Sequence, residues 1–162
     1  MSKKYLYSPW RLDYILSDKS KGCIFCCKTI VGDDSEQMIV YRSKHCFVKL
    51  NLYPYNNGHV MVVPFKHVSS LTKLAKAELD DVFETVQLTE NVLNEVYKCD
   101  GLNIGINVGK AAGAGVDEHI HIHLVPRWLG DCNFMSVVGE KRVIPEAFEL
   151  TYKKLKTAFV RS

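Results

Sequence analysis

An α+β domain, with a five-stranded antiparallel sheet, one long central helix and a C-terminal helix, is the fold class this sequence predicts. Three observations predict it: short apolar runs separated by turn-formers, one long stretch with three- and four-residue apolar spacing, and the order in which they follow one another. The runs at 38–41, 46–50 and 59–64 are bounded by Gly32-Asp33-Asp34 and Tyr55-Asn56-Asn57-Gly58, the pattern of strands joined by hairpin-like turns. From 77 to 99, Leu79, Val82, Phe83, Val86, Leu93, Val96 and Tyr97 recur at helical spacing, and Asp100-Gly101 supplies a stop. Residues 102–108 and 120–126 read as two more strands, separated by the glycine-rich stretch 109–115. A second helix is expected over 145–159, where Phe148, Tyr152, Leu155 and Phe159 line one face. Helices that follow strands in this order bury their apolar stripes on one face of the sheet.

Length and composition narrow the classes of function. At 162 residues and 47% apolar, the chain has the size of a single domain with a real core, burying roughly two thirds of its unfolded surface. A net charge of +3, with Lys and Arg interspersed among Asp and Glu, argues against nucleic acid as a partner but allows a small anionic ligand. No apolar run approaches the roughly 20 residues of a membrane span, and Met1-Ser2-Lys3-Lys4-Tyr5 leads into no signal-like segment. A cytoplasmic protein without membrane partners is therefore expected, and its six cysteines should be free thiols or metal ligands rather than disulfides.

The chemistry concentrates in His119-Ile120-His121-Ile122-His123-Leu124-Val125. A strand sends alternate residues to opposite faces, so the three imidazoles share one face while Ile120, Ile122 and Leu124 can enter the core. Imidazole attacks phosphorus competently when a neighbouring acceptor fixes its tautomer and a second group assists the leaving oxygen. The preceding loop, Gly109-Lys110-Ala111-Ala112-Gly113-Ala114-Gly115, can turn backbone N–H groups toward phosphate oxygens, although a tight turn alone would also account for it. Cys23-Ile24-Phe25-Cys26 has the spacing that lets two thiolates reach one tetrahedral ion, and His67 and His119 can complete a Cys₂His₂ set. A redox pair and two buried thiols are its rivals.

On these residues the chain resembles the histidine triad proteins, whose hallmark is three histidines alternating with apolar residues. The resemblance extends over about 23–133, through Asn51-Leu52-Tyr53-Pro54-Tyr55-Asn56-Asn57-Gly58-His59 and its strand, and from Gly105 to His123. Segments 7–11 and 126–135 are similar to bacterial members related to diadenosine tetraphosphate phosphorylases, and fragile histidine triad hydrolases share much of the pattern. The resemblance implies that His121 is the nucleophile toward the α-phosphorus. It gives His123 and His59 charge stabilisation and proton handling, Asn51 the ribose hydroxyls, and Asn107 a phosphate contact, with Gly113, Ala114 and Gly115 forming the phosphate loop. A zinc-bearing subset matches Cys23, Cys26, His67 and His119, which implies a structural zinc.

Two positions depart from the family. Relatives place Gln, Ser or Thr near Ala114-Gly115, so backbone N–H groups have to serve there, and Lys49 stands where related hydrolases line the base pocket with an apolar residue. The expected organisation is an N-terminal extension over 1–22, a domain of the histidine triad type over 23–135, and a C-terminal segment with a helix over 136–162. The expected function is phosphorolysis or hydrolysis of a dinucleoside polyphosphate by a homodimer acting on purine nucleotides. Cleavage of a purine nucleoside phosphoramidate and nucleotide binding without catalysis are the alternatives, and an intact triad with His59 favours catalysis.

Overall fold

The computed structural model describes residues 22–26, 32–131 and 146–162. The similarities at 7–11 and 132–135, with Cys27 and Cys132, lie outside these residues. Five strands form one antiparallel sheet: β1 (Ile39–Arg42), β2 (Cys46–Leu50), β3 (Val60–Pro64), β4 (Gly101–Ile106) and β5 (Ile122–Arg127). Their order across the sheet is β1-β2-β3-β5-β4. The sheet carries two helices, α1 (Lys76–Tyr97) and α2 (Phe148–Arg161). This is the expected α+β architecture.

Alternation along the central strands divides the core into two layers. Val48, Leu50, Val60, Val62, Ile122 and Leu124 pack with Val82, Val86 and Leu93 of α1 and Leu155 and Phe159 of α2. On the opposite face Ile39, Phe47, Met61 and Val63 gather with Phe25. Since β2 and β3 are buried at every position, both faces of the sheet's centre are covered. A row of Cα partners, Lys49 with Met61, Met61 with His123 and His123 with Gly105, crosses the sheet on the face away from the helices. Each large side chain of this core contributes about 1.5–3 kcal/mol by leaving water.

Three expectations are corrected. The central helix ends at Tyr97 rather than 99, on Lys98 in the left-handed region (φ 45°), whose N–H bonds to Asn94 O. Gly101 instead opens β4, because Asp100 N–H pairs with Arg127 O and draws the chain straight into the sheet. Phe83 lies on the outer side of α1 and is 45% exposed, since the sheet takes up Val82 and Val86 instead. The histidine strand pairs regularly only from Ile122, whereas residues 119–121 form an extended lead-in anchored by Ile120 N–H to Val68 O at 2.7 Å.

Candidate active site

Main-chain atoms assign tautomers to His121, His119 and His59, and His59 in turn assigns that of His123. His121 Nδ1 lies 2.9 Å from His119 O, and a carbonyl only accepts, so Nδ1 carries the proton and Nε2 keeps its lone pair. Likewise His119 Nε2, 2.9 Å from Pro64 O, must be the donor, which leaves His119 Nδ1 as a ligand atom. At His59 the direction reverses. Tyr55 N–H donates to His59 Nδ1 at 3.0 Å, so the proton of the neutral ring sits on Nε2. That Nε2 lies 2.9 Å from His123 Nδ1 and donates to it, which puts the His123 proton on its own Nε2.

Burial supports these neutral forms. His59, His119 and His121 are buried, and His123 is half-buried. Burial, and secondarily the charges of His123 and His121, pushes the His59 pKa down to about 3. Burial and the neighbouring His121 bring His123 down to about 4. Burial also lowers His121 and His119, against the raising effect of their carbonyl bonds. The His121 and His123 rings meet edge to face with centroids 4.8 Å apart, and Tyr55 stacks on His59 at 4.9 Å.

Cys23, Cys26, His67 and His119 come together as expected. Their ligand atoms all lie within 4.8 Å of one another. Four of the six separations are 3.3–3.4 Å: Cys23 Sγ and Cys26 Sγ to His119 Nδ1, Cys26 Sγ to His67 Nδ1, and His67 Nδ1 to His119 Nδ1. Tetrahedral zinc with ordinary Zn–S and Zn–N bonds has edges of about 3.3–3.8 Å, so this donor set fits zinc in both chemistry and size. Among the described residues Cys23, Cys26, Cys46 and Cys99 form no disulfide.

The nucleotide-binding candidates lie around this cluster. Asn51 Oδ1 accepts from Tyr53 N–H at 3.0 Å, and its Nδ2 sits 3.3 Å from both ring nitrogens of His59. Asn107 is half-buried just beyond β4, at the start of the loop. Within the loop, Lys110–Ala112 form a single 3₁₀ turn that ends on Gly113 at φ +86°. The Gly113 N–H closes that turn onto Lys110 O at 3.0 Å, and Ala114 and Gly115 follow it. Lys49 is 8% exposed, with its Nζ 5.8 Å from the centre of the Phe25 ring.

Two contacts escaped the sequence reading. Phe25, at the centre of the C-x-x-C, lies 5.4 Å from the His119 ring and 5.1 Å from the His121 ring, between the candidate metal ligands and the candidate nucleophile. Its aromatic character was the available signal. Tyr55 lies in a stretch legible only as a turn, and its contact with His59 depends on how that turn folds back. Among the described residues, no helix is long and apolar enough to cross a membrane.

The family model described as "HIT domain" matches residues 33–128. An AP-4-A phosphorylase of Mycobacterium tuberculosis is 41% identical over 128 residues, covering 79% of this chain and 66% of that protein. A bis(5'-adenosyl)-triphosphatase of Saccharomyces cerevisiae is 37% identical over 93 residues, or 57% and 45% of the two chains. The chain thus spans less than two thirds of the length of either relative. A Zn-bound histidine triad family protein from Mycobacterium smegmatis superposes with a TM-score of 0.63 at 30% identity, covering 77% of this chain and 85% of that one.

Proposed function

This chain belongs to the HIT domain family, and on that premise we propose that it cleaves the α-phosphate linkage of dinucleoside polyphosphates of the diadenosine tetraphosphate type through a nucleotidyl group carried on His121. The observation that carries the reading is the Nδ1–H to carbonyl bond of His121, which frees Nε2 for attack. As Nε2 bonds to the α-phosphorus, the bond to the bridging oxygen breaks and its electron pair leaves with the polyphosphate. That product is a stable anion, so the departing oxygen needs a hydrogen-bond donor, which His123 Nε2–H supplies. The imidazolium formed on His121 is met by the His119 carbonyl. Inorganic phosphate then displaces the nucleotide, the Nε2–P bond breaks, and the lone pair returns to His121.

Phosphate is the acceptor favoured by likeness to the AP-4-A phosphorylase, and water is the acceptor the triphosphatase likeness would favour. Asn51 offers its second Oδ1 lone pair to a ribose hydroxyl, a role for which the Tyr53 N–H bond orients it. Asn107 and the amides around Gly113, Ala114 and Gly115 line the phosphates, and a purine base is the expected occupant of the pocket. Zinc on Cys23, Cys26, His67 and His119 is structural in this reading: a closed four-ligand site supplies no chemistry to the reaction and holds residues 23–26 against the catalytic strand. A homodimer through α1 and edge strand β4 would cover Phe83 and Ile104, each 45% exposed.

Product analysis tests the reading directly. Diadenosine tetraphosphate with inorganic phosphate should yield ADP and ATP. AMP formed equally well without phosphate would make the enzyme a hydrolase, and no cleavage under either condition would remove the proposal.

A further inference from the structure

We propose that Tyr97 is a positioning residue for His59: held by Glu146, its ring braces Gly58 from below and fixes the turn that carries His59 to His123. The inference rests on the role given to His59 above. Gly58 is buried at φ +71°, and a Cβ built there would stand 2.6 Å from Tyr97 Cε2 and 3.0 Å from both Cδ2 and Cζ. The ring therefore lies against the glycine's own backbone, immediately before His59, so close that a Cβ at position 58 would displace it.

Tyr97 belongs to the last turn of α1, where a side chain could otherwise swing outward. Its position is set from outside that helix. The phenol Oη donates to Glu146 Oε2 at 2.9 Å, and the same carboxylate accepts from Thr151 Oγ1 at 2.8 Å and pairs with Lys154. Trp128 packs edge-on against the ring with centroids 6.2 Å apart. The turn is held elsewhere by main-chain bonds: Asn51 N–H to His59 O at 3.0 Å, and His59 N–H to Asn56 O at 3.2 Å. Asn56 Nδ2 in turn donates to Pro126 O at 3.0 Å. Tyr97 fills the remaining side, and without it the turn can sink toward the helix, drawing His59 away from the 2.9 Å bond to His123.

In the reading above His59 reaches the reaction through its bond to His123, so loss of the brace should appear in kcat more than in KM. The experiment compares the full-length chain with its Tyr97→Phe, Tyr97→Leu and Tyr97→Ala variants. It measures steady-state cleavage of diadenosine tetraphosphate with phosphate and long-range proton–nitrogen NMR of the imidazoles. Tyr97→Ala should lower kcat by about ten- to a hundredfold, the scale of an ångström-sized misplacement, while KM stays within about twofold. Tyr97→Phe, which keeps the ring but loses the bond to Glu146, should fall between wild type and Tyr97→Ala. In the spectra, His59 should be the Nε2–H tautomer in wild type and a tautomer mixture in Tyr97→Ala. Wild-type kcat in Tyr97→Ala overturns the proposal, and so do unchanged His59 signals or a Tyr97→Phe rate as low as that of Tyr97→Ala. Should the alanine variant fail to fold, Tyr97→Leu carries the same comparison and the same overturning outcomes. If wild type cleaves nothing, the functional reading fails, and the His59 spectra alone still decide the brace.

Discussion

His121 Nδ1 lies 2.9 Å from the carbonyl oxygen of His119, whose own ring belongs to the candidate metal cluster, so one residue joins that cluster to the proposed nucleophile. Replacing His121 with alanine should lower turnover by roughly four to six orders of magnitude, the usual cost of removing a covalent nucleophile. Mass analysis of the chain after brief exposure to substrate, without acid quench, should find a nucleotidyl adduct in wild type only.

The buried neutral histidines make stability depend on pH in a defined window. His59 and His123 titrate at about 3 and about 4 in the fold but near 6.5 when unfolded, so below 6.5 the unfolded chain binds more protons. Stability should therefore be fully present above pH 6.5 and fall as the pH drops toward 4, by at most about 1.4 kcal/mol per histidine per pH unit. Urea unfolding between pH 7.5 and 4.5 measures this slope, and a His59→Asn, His123→Asn double variant with the wild-type slope would contradict it.

Purified without chelators, the protein should hold about one zinc per chain. Cys23→Ser should lose the metal and about 3 kcal/mol of stability, lowering the melting temperature by roughly 6–12 °C at this chain length. Elemental analysis alongside calorimetry reads both, and a metal-free wild-type preparation with an unchanged melting temperature would remove the site.

Asn51→Ala should weaken AMP by roughly 1–3 kcal/mol, the penalty for leaving hydrogen-bonding groups unpaired. Inorganic phosphate should bind that variant as it binds wild type. Calorimetric titration with both ligands separates a ribose contact from a general disturbance of the pocket.

On the other face of the sheet, Asp81 of α1 clasps the β1–β2 turn. It accepts from Ser43 Oγ at 2.5 Å, from His45 N–H at 2.8 Å and from Cys46 Sγ at 3.5 Å. Asp81→Ala should cost roughly 1–3 kcal/mol in chemical denaturation while kcat and KM stay at wild-type values. A change in kcat/KM would show that the clasp reaches the site.

The strands, both helices and the Cys23–Cys26 pair were legible because each depends on a local period or spacing, whereas His67 and His119 joined that pair through the family resemblance. Alternation in 46–50 and 60–64 separates the two core layers, and the two-residue gap between Cys23 and Cys26 suits one ion. What was not legible depends on partners distant in sequence. Lys98 takes the left-handed turn that glycine usually supplies because β4 begins three residues later and pairs at once with β5. Phe83 had the right spacing for the core, yet the sheet beneath α1 is already filled by its neighbours. The contacts of Phe25, Tyr55 and Tyr97 with the histidine cluster and its turn follow from loop paths that no periodicity encodes.

The protons of His119, His121 and His59 are placed by Pro64 O, His119 O and Tyr55 N–H, all atoms of the main chain. Every residue type offers a carbonyl, and every type but proline offers an N–H. Mutational drift at positions 55 and 64 can therefore alter the shape of the pocket without rewriting the reactivity of its imidazoles. On the proposed mechanism, a lineage carrying this scaffold is free to exchange one leaving group or base for another while inheriting the same nucleophile in the same protonation state.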